Sequence, residues 1–158
     1  RSASLAGADL LSVHGLVLVL CSLRAVGAEE AREDRAKLVA ITVLTSMNRI
    51  RWLRSASSHP CRGGARLAKL AQANGIDGIV CSPMEAHDMR ELLGPDALIV
   101  TPGVRPVGAA LVTSPVGDAS QAIERGASHI VVGRPITGAD DPVAAFDAIV
   151  AELVENVA

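Results

Sequence analysis

The stretch DGIVCSPMEAHDMRELLGPDALIVTPG, Asp77 to Gly103, decides the fold. It opens on a short apolar run, DGIVCS (77–82), and closes on another, ALIVTPG (97–103). Between them, SPMEAHDMRELLG (82–94) starts on a Ser-Pro cap, carries acids in its first turn and stops at glycine. Those are helix start and stop signals. Both apolar runs are continuous rather than alternating, the pattern of parallel strands covered on both faces. The stretch therefore predicts one strand–helix–strand unit.

The same pattern extends outward. Further buried strands are predicted at ADLLSVHG (8–15), KLVAITVLTS (37–46) and HIVVGRP (129–135). GGARLAKLAQANG (63–75) predicts a helix with Leu67, Leu70 and Ala71 on one face and a stop at Asn74-Gly75. DASQAIERGA (118–127) predicts a short helix ending at Gly126. DPVAAFDAIVAELVENVA (141–158) has Asp-Pro as cap and first position. Its Val143, Phe146, Ile149, Val150, Leu153 and Val157 recur at helical spacing. Strand and helix alternate at intervals of about 25 residues from Asp77 onward, so the class is α/β with a parallel sheet. A doubly wound sheet and a β/α barrel both fit.

Composition narrows the function. The 158 residues suit a single domain spanning 1–158. Aromatics make up only 1% of the chain, so Ala, Val, Leu and Ile must fill the core. A net charge of −2 offers no basic excess for nucleic acid. The three cysteines, Cys21, Cys61 and Cys81, have no C-x-x-C spacing, which fits a reducing cytosol and argues against a zinc site. The longest apolar run, GLVLVLCSL from Gly15, is too short to span a bilayer, and Arg1-Ser-Ala-Ser-Leu has no signal pattern. The expected location is cytoplasmic.

Chemistry in βα folds sits at the C-terminal ends of strands. Here those ends read VLTS, VCSP, VTPGVRP and VVGRP, rich in hydroxyls, glycine and arginine. Gly133-Arg134 can bind an anion, because glycine exposes the backbone N–H and arginine offers a bidentate fork. The helix that follows adds positive field, although Asp140 and Asp141 would cap it. The plainer reading pairs Arg134 with Asp140 or Asp141. Arg105 either faces a phosphate beside Arg134 or is a solvated loop charge. His14, at the end of the first strand, reads as a packed or supporting histidine more readily than as a catalytic one.

In this order, KLVAITVLTSM, LAKLAQANGIDGIVCSPMEA, LIVTPGVRP and GASHIVVGRPIT resemble the C-terminal part of bacterial orotidine 5′-phosphate decarboxylases. The resemblance covers roughly residues 1–14, 28–47 and 65–158. It implies a partial (β/α)8 barrel corresponding to strands four to eight, and an enzyme that converts orotidine monophosphate to UMP and CO2 without a cofactor, as a homodimer. By position, Thr45 would contact the substrate, and Arg105, Gly133 and Arg134 would hold its phosphate. No nucleic-acid or membrane partner is implied.

The resemblance also marks what is missing. The family's Asp-x-Lys-x-x-x-Asp stretch, whose lysine protonates the carbanion left by CO2 loss, does not occur in this chain. Nor do its aspartate on strand one and its lysine on strand two. The chain has two lysines, Lys37 before a strand and Lys69 on a predicted helix, and neither is placed as a general acid. No catalytic residue is therefore assigned, and the isolated chain is expected to be inactive. The alternative is a non-catalytic UMP- or phosphate-binding half-barrel, or an interaction remnant. A barrel for another sugar phosphate fits VLTSM and TPGVRP less well.

The loop VGAALVTSPVGDASQ (107–121) lacks the family's phosphate-binding glutamine, and Gln121 belongs to the next helix. GLVLVLCSLRAVG (15–27) and the basic, non-periodic NRIRWLRSASSHPCRGG (48–64) fit no element. Compensating shifts of reading frame there and near 111–118 would account for them, as would a natural half-barrel. Five strands leave two open sheet edges, so weak stability, oligomerisation or aggregation is expected.

Overall fold

The computed structural model describes residues 6–14, 36–42, 60–104 and 118–157. In order these form β1 (Leu10–His14), β2 (Lys37–Ile41), α1 (Pro60–Ala73), β3 (Gly78–Val80), a 3-10 turn (Pro83–Glu85), α2 (Ala86–Leu93), β4 (Leu98–Pro102), α3 (Ala119–Glu124), β5 (His129–Val131), α4 (Arg134–Thr137) and α5 (Pro142–Val157). Residues 15–27 and 48–59 of the two irregular stretches lie outside the described residues, as does 111–117. Pro60 to Gly64 open α1.

All five strands are parallel and pair in chain order, β1-β2-β3-β4-β5. A doubly wound sheet reverses its strand order at a switch point, and this sheet does not. The apolar side chains that meet helices all project from one face: Leu38 and Ala40 toward α1, Ile79 and Ile99 toward α1 and α2, and Ile130 toward α3 and α5. Among the described residues the helices cover that face alone. Sequential parallel strands with helices on one side form an arc of a β/α barrel.

The expectation of strands covered on both faces therefore holds only in part. β2 and β4 are largely buried, but β1 and β5 alternate between exposed and half-buried residues because each is an edge.

Small residues let the helices sit close to the sheet. Ala68 and Ala86 are fully buried in one cluster with Ile79 and Ile99, and Ala119 and Ala122 in another with Val104 and Ile149. Each large apolar side chain buried there contributes about 1.5–3 kcal/mol. On α1 the buried face is Gly64, Ala68 and Ala71, with Leu67 half-buried; Leu70 is 39% exposed, contrary to the expected face. The predicted stop is present: Asn74 Nδ2 donates to the Leu70 carbonyl, and Gly75 turns the chain at φ +73°.

Ser82 opens the next segment through a capping box. Its hydroxyl accepts from Met84 N, and the Glu85 carboxylate accepts from Ser82 N at 3.2 Å. The chain makes one 3-10 turn before α2 begins, so the predicted single helix over 82–94 is divided.

Candidate functional site

The C-terminal ends of the five strands lie at one end of the arc, which is where parallel βα folds place chemistry. Gly133 and Arg134 follow β5 at that end. Gly133 caps α4, accepting at its carbonyl from Ile136 N and Thr137 N at 2.9 and 3.0 Å. Arg134 is exposed and makes no ion pair with Asp140 or Asp141 among the described residues. The backbone N–H groups of Gly133 and Arg134 likewise have no hydrogen-bond partner among the described residues. A Cβ placed on Gly133 would meet open space. Amide N–H groups without partners among the described residues, an exposed guanidinium and open volume are the donors and space that binding an anion requires.

The expected competition from the aspartates takes another form. Asp141 Oδ1 accepts from Val143 N and Ala144 N at 3.1 and 3.0 Å, capping α5 and not the helix beside Gly133. The four-residue α4 separates the Gly-Arg corner from that cap. Thr45 and Arg105, the other two expected site residues, lie outside the described residues.

The hydroxyls at strand ends serve the backbone. Thr42, after β2, is 1% exposed and donates to the Val80 carbonyl at 3.1 Å. Thr101 is fully buried, with its hydroxyl 3.4 Å from the His129 carbonyl. Ser82 is the cap described above. Thr42 and Thr101 are thus engaged by backbone carbonyls, while the Ser82 hydroxyl accepts from Met84 N. Cys81, between β3 and Ser82, is turned toward the helices and buried, and desolvation together with the nearby Glu85 charge pushes its thiol up to about 12. It is neither a nucleophile nor a metal ligand in that state.

Both lysines are far from this end. Lys37 opens β2 at its N-terminal end, with Nζ 3.9 Å from Asp77 Oδ1, while Asp77 Oδ2 accepts from Leu38 N at 2.8 Å. Lys69 is exposed on α1. His14 ends β1 at the site end and is exposed, so the packed reading does not hold. A cavity of about 250 Å³ lies at the opposite end of the strands, where Gln72, Asp77 and Asp96 line it, and it takes no part in the Gly133 corner.

Comparison with known proteins bears on the family and the fold. The family model described as "Orotidine 5'-phosphate decarboxylase / HUMPS family" matches residues 1–149. The orotidine 5′-phosphate decarboxylase of Halorhodospira halophila is 44% identical over 155 residues, covering 97% of this chain and 66% of the relative. That of Methylorubrum extorquens is 46% identical over 155 residues, covering 97% and 65%. The crystal structure of orotidine 5′-phosphate decarboxylase from Lactobacillus acidophilus superposes with a TM-score of 0.80 at 35% identity, covering 96% of this chain and 66% of that one. The chain thus spans just under two thirds of the length of the relatives it matches. The match runs through nearly all of this chain, including the Gly133-Arg134 corner, and the chain belongs to the orotidine 5′-phosphate decarboxylase / HUMPS family.

Proposed function

We propose that this chain supplies the phosphate-holding side of an orotidine 5′-phosphate decarboxylase and does not decarboxylate by itself. The observation that carries this reading is the corner at Gly133 and Arg134, with two amide N–H groups lacking partners among the described residues and an unpaired, exposed guanidinium. A nucleotide phosphate accepts from all of these donors at once, and a planar guanidinium grips two of its oxygens. Arg105 joins Arg134 on the phosphate, and Thr45 contacts the rest of the nucleotide. In the reaction, the bond from C6 of the pyrimidine to the carboxylate breaks and its electron pair stays on C6. A proton must then arrive there. Lys37 stands at the wrong end of its strand and Lys69 on an outer helix, so this chain holds no lysine in position to give it.

The complete enzyme is read as a cofactor-free cytoplasmic homodimer. Among the described residues, no helix is long and apolar enough to cross a membrane. The irregular stretches 15–27 and 48–64 are read as segments translated out of frame, which sequencing of the source DNA tests directly.

The test of function has two parts. UMP should raise the melting temperature of the purified chain, and Arg134→Ala should weaken UMP binding about 10- to 100-fold, the loss of one charged hydrogen-bonding group. Orotidine monophosphate should remain unconsumed by the chain alone. Equal UMP affinity in wild type and variant would refute the phosphate assignment. Turnover absent from a mock preparation would refute the inactivity.

A further inference from the structure

Of the asparagines Asn48, Asn74 and Asn156, only Asn74 precedes a glycine. An Asn-Gly pair is prone to spontaneous deamidation, because glycine has no side chain to shield its nitrogen from the asparagine amide. This pair closes α1. Gly75 N donates to the Gln72 carbonyl at 3.1 Å, and Ile76 N donates to the Ala71 carbonyl at 3.1 Å. With Gly75 at φ +73°, the two bonds make a Schellman motif. Ala71 and Ile76 share one buried cluster, which supplies the apolar contact of that motif. Asn74 Nδ2 adds a bond to the Leu70 carbonyl at 2.7 Å.

Each group that deamidation uses is therefore committed to the cap. The attacking nitrogen, Gly75 N, is held by Gln72, and the leaving amide, Asn74 Nδ2, is held by Leu70. The pair nevertheless lies at the surface, with Gly75 exposed and Asn74 half-buried. Water and base reach it as soon as the turn opens.

We propose that Asn74-Gly75 is a spontaneous modification site, closed while the cap of α1 is formed and reactive when it opens. Once open, Gly75 N gives up its proton and bonds to Asn74 Cγ. The Cγ–Nδ2 bond breaks, and ammonia leaves with that proton. Water then opens the cyclic imide at either of its carbonyls, giving an aspartyl or an isoaspartyl residue. No oxidant or second substrate is needed.

The change cannot be undone by refolding. The new carboxylate has no proton to donate to the Leu70 carbonyl near neutral pH, and its charge lies at the negative end of the α1 dipole. The isoaspartyl form also inserts a methylene into the backbone, so the Schellman bonds lose their register. Only Gly75, Ile76 and Asp77 separate this position from β3. Asp77 in turn accepts from Leu38 N at 2.8 Å and pairs with Lys37 at 3.9 Å, so damage at the cap reaches the junction of β2 and β3. Opening is reversible and deamidation is not, so modified chains accumulate with each opening. The site rests on the cap and not on the phosphate corner, and it stands or falls separately from the nucleotide reading.

The test incubates the purified full chain in mildly alkaline buffer, folded and in urea, and follows acid formation at Asn74 by peptide mass spectrometry. In urea the site should react as fast as a free peptide spanning Gln72 to Asp77. In the folded chain it should react about tenfold more slowly or less. Asn74→Asp, which mimics the aspartyl product, should lower the melting temperature by several degrees. It should lower it more than Asn74→Ala, which removes the donor without adding a charge. Equal rates in the folded chain and in urea would overturn the closed site. Asn74→Asp protein that melts with or above wild type would overturn the loss of the cap. The rate comparison uses the wild-type chain and does not depend on either variant folding.

Discussion

The side chain of Arg90 grips the carbonyl of Gly126, with Nε at 3.0 Å and Nη2 at 2.9 Å. Its remaining nitrogen, Nη1, donates to the carbonyls of Gly94, Pro95 and Ala97 at 2.9, 2.8 and 2.8 Å. One guanidinium thus ties the turn after α2 to the turn after α3. Gly126 is held close in return: it sits at φ +95°, and a Cβ there would come within 2.9 Å of Arg90 Cβ and Cγ. Arg90→Ala removes all five bonds and leaves carbonyls without their donor. The expected loss is about 2–3 kcal/mol in urea unfolding. Arg90→Lys should recover less than half of it, since an ammonium cannot fork to both turns. A loss below about 0.5 kcal/mol for the alanine variant would show that water replaces the side chain.

Gly78 faces Leu98 directly in the β3–β4 register. A Cβ there would overlap the Leu98 carbonyl oxygen and come within 2.7 Å of its carbonyl carbon. These are backbone atoms of a paired strand and cannot rotate away. Gly78→Ala should therefore cost about 3 kcal/mol or more, through separation of the two central strands. Soluble, wild-type-like protein at the usual yield with an unshifted unfolding midpoint would contradict the register.

The strands were legible because parallel pairing between covered layers demands continuous apolar runs, and Leu38–Ile41, Ile79–Val80 and Leu98–Val100 supply them. Helix ends were legible where a single residue fixes the backbone, as at Gly75, Ser82 and Gly126. The helix Arg134–Thr137 was not, since four residues are too few to show a period. Spacing also reveals that Phe146 and Val150 lie on an apolar side, but not what covers them; that depends on which neighbouring units are present. The Gly133-Arg134 corner was visible because its chemistry is local. The diversion of Thr42 and Thr101 to backbone carbonyls was not, because their acceptors lie on neighbouring strands.

Cys81 provides a direct probe of the packed layer between β3 and α2. Its thiol is pushed up to about 12 by burial and by the Glu85 charge, so the thiolate is scarce near neutral pH. With Cys21 and Cys61 replaced by serine, iodoacetamide at pH 8 should label the folded chain at least about a hundredfold more slowly than the unfolded chain. Similar rates in the two states would mean that the layer opens freely.

Glu85 gives the fold a pH dependence of definite sign. Burial raises its pKa, the Ser82 backbone N–H opposes that shift, and the charge of Asp88 adds to it. The folded state then holds the proton more tightly than the unfolded chain does. The resulting stability is fully present below the unfolded pKa and is lost as pH rises through the folded one. Glu85→Gln keeps an oxygen acceptor for Ser82 N while removing the buried charge. The variant should match wild type in acid and exceed it in melting temperature at pH 7 and above. A gap between the two proteins that stays constant from about pH 4 to pH 8 would show that the carboxylate is not desolvated in its capping box.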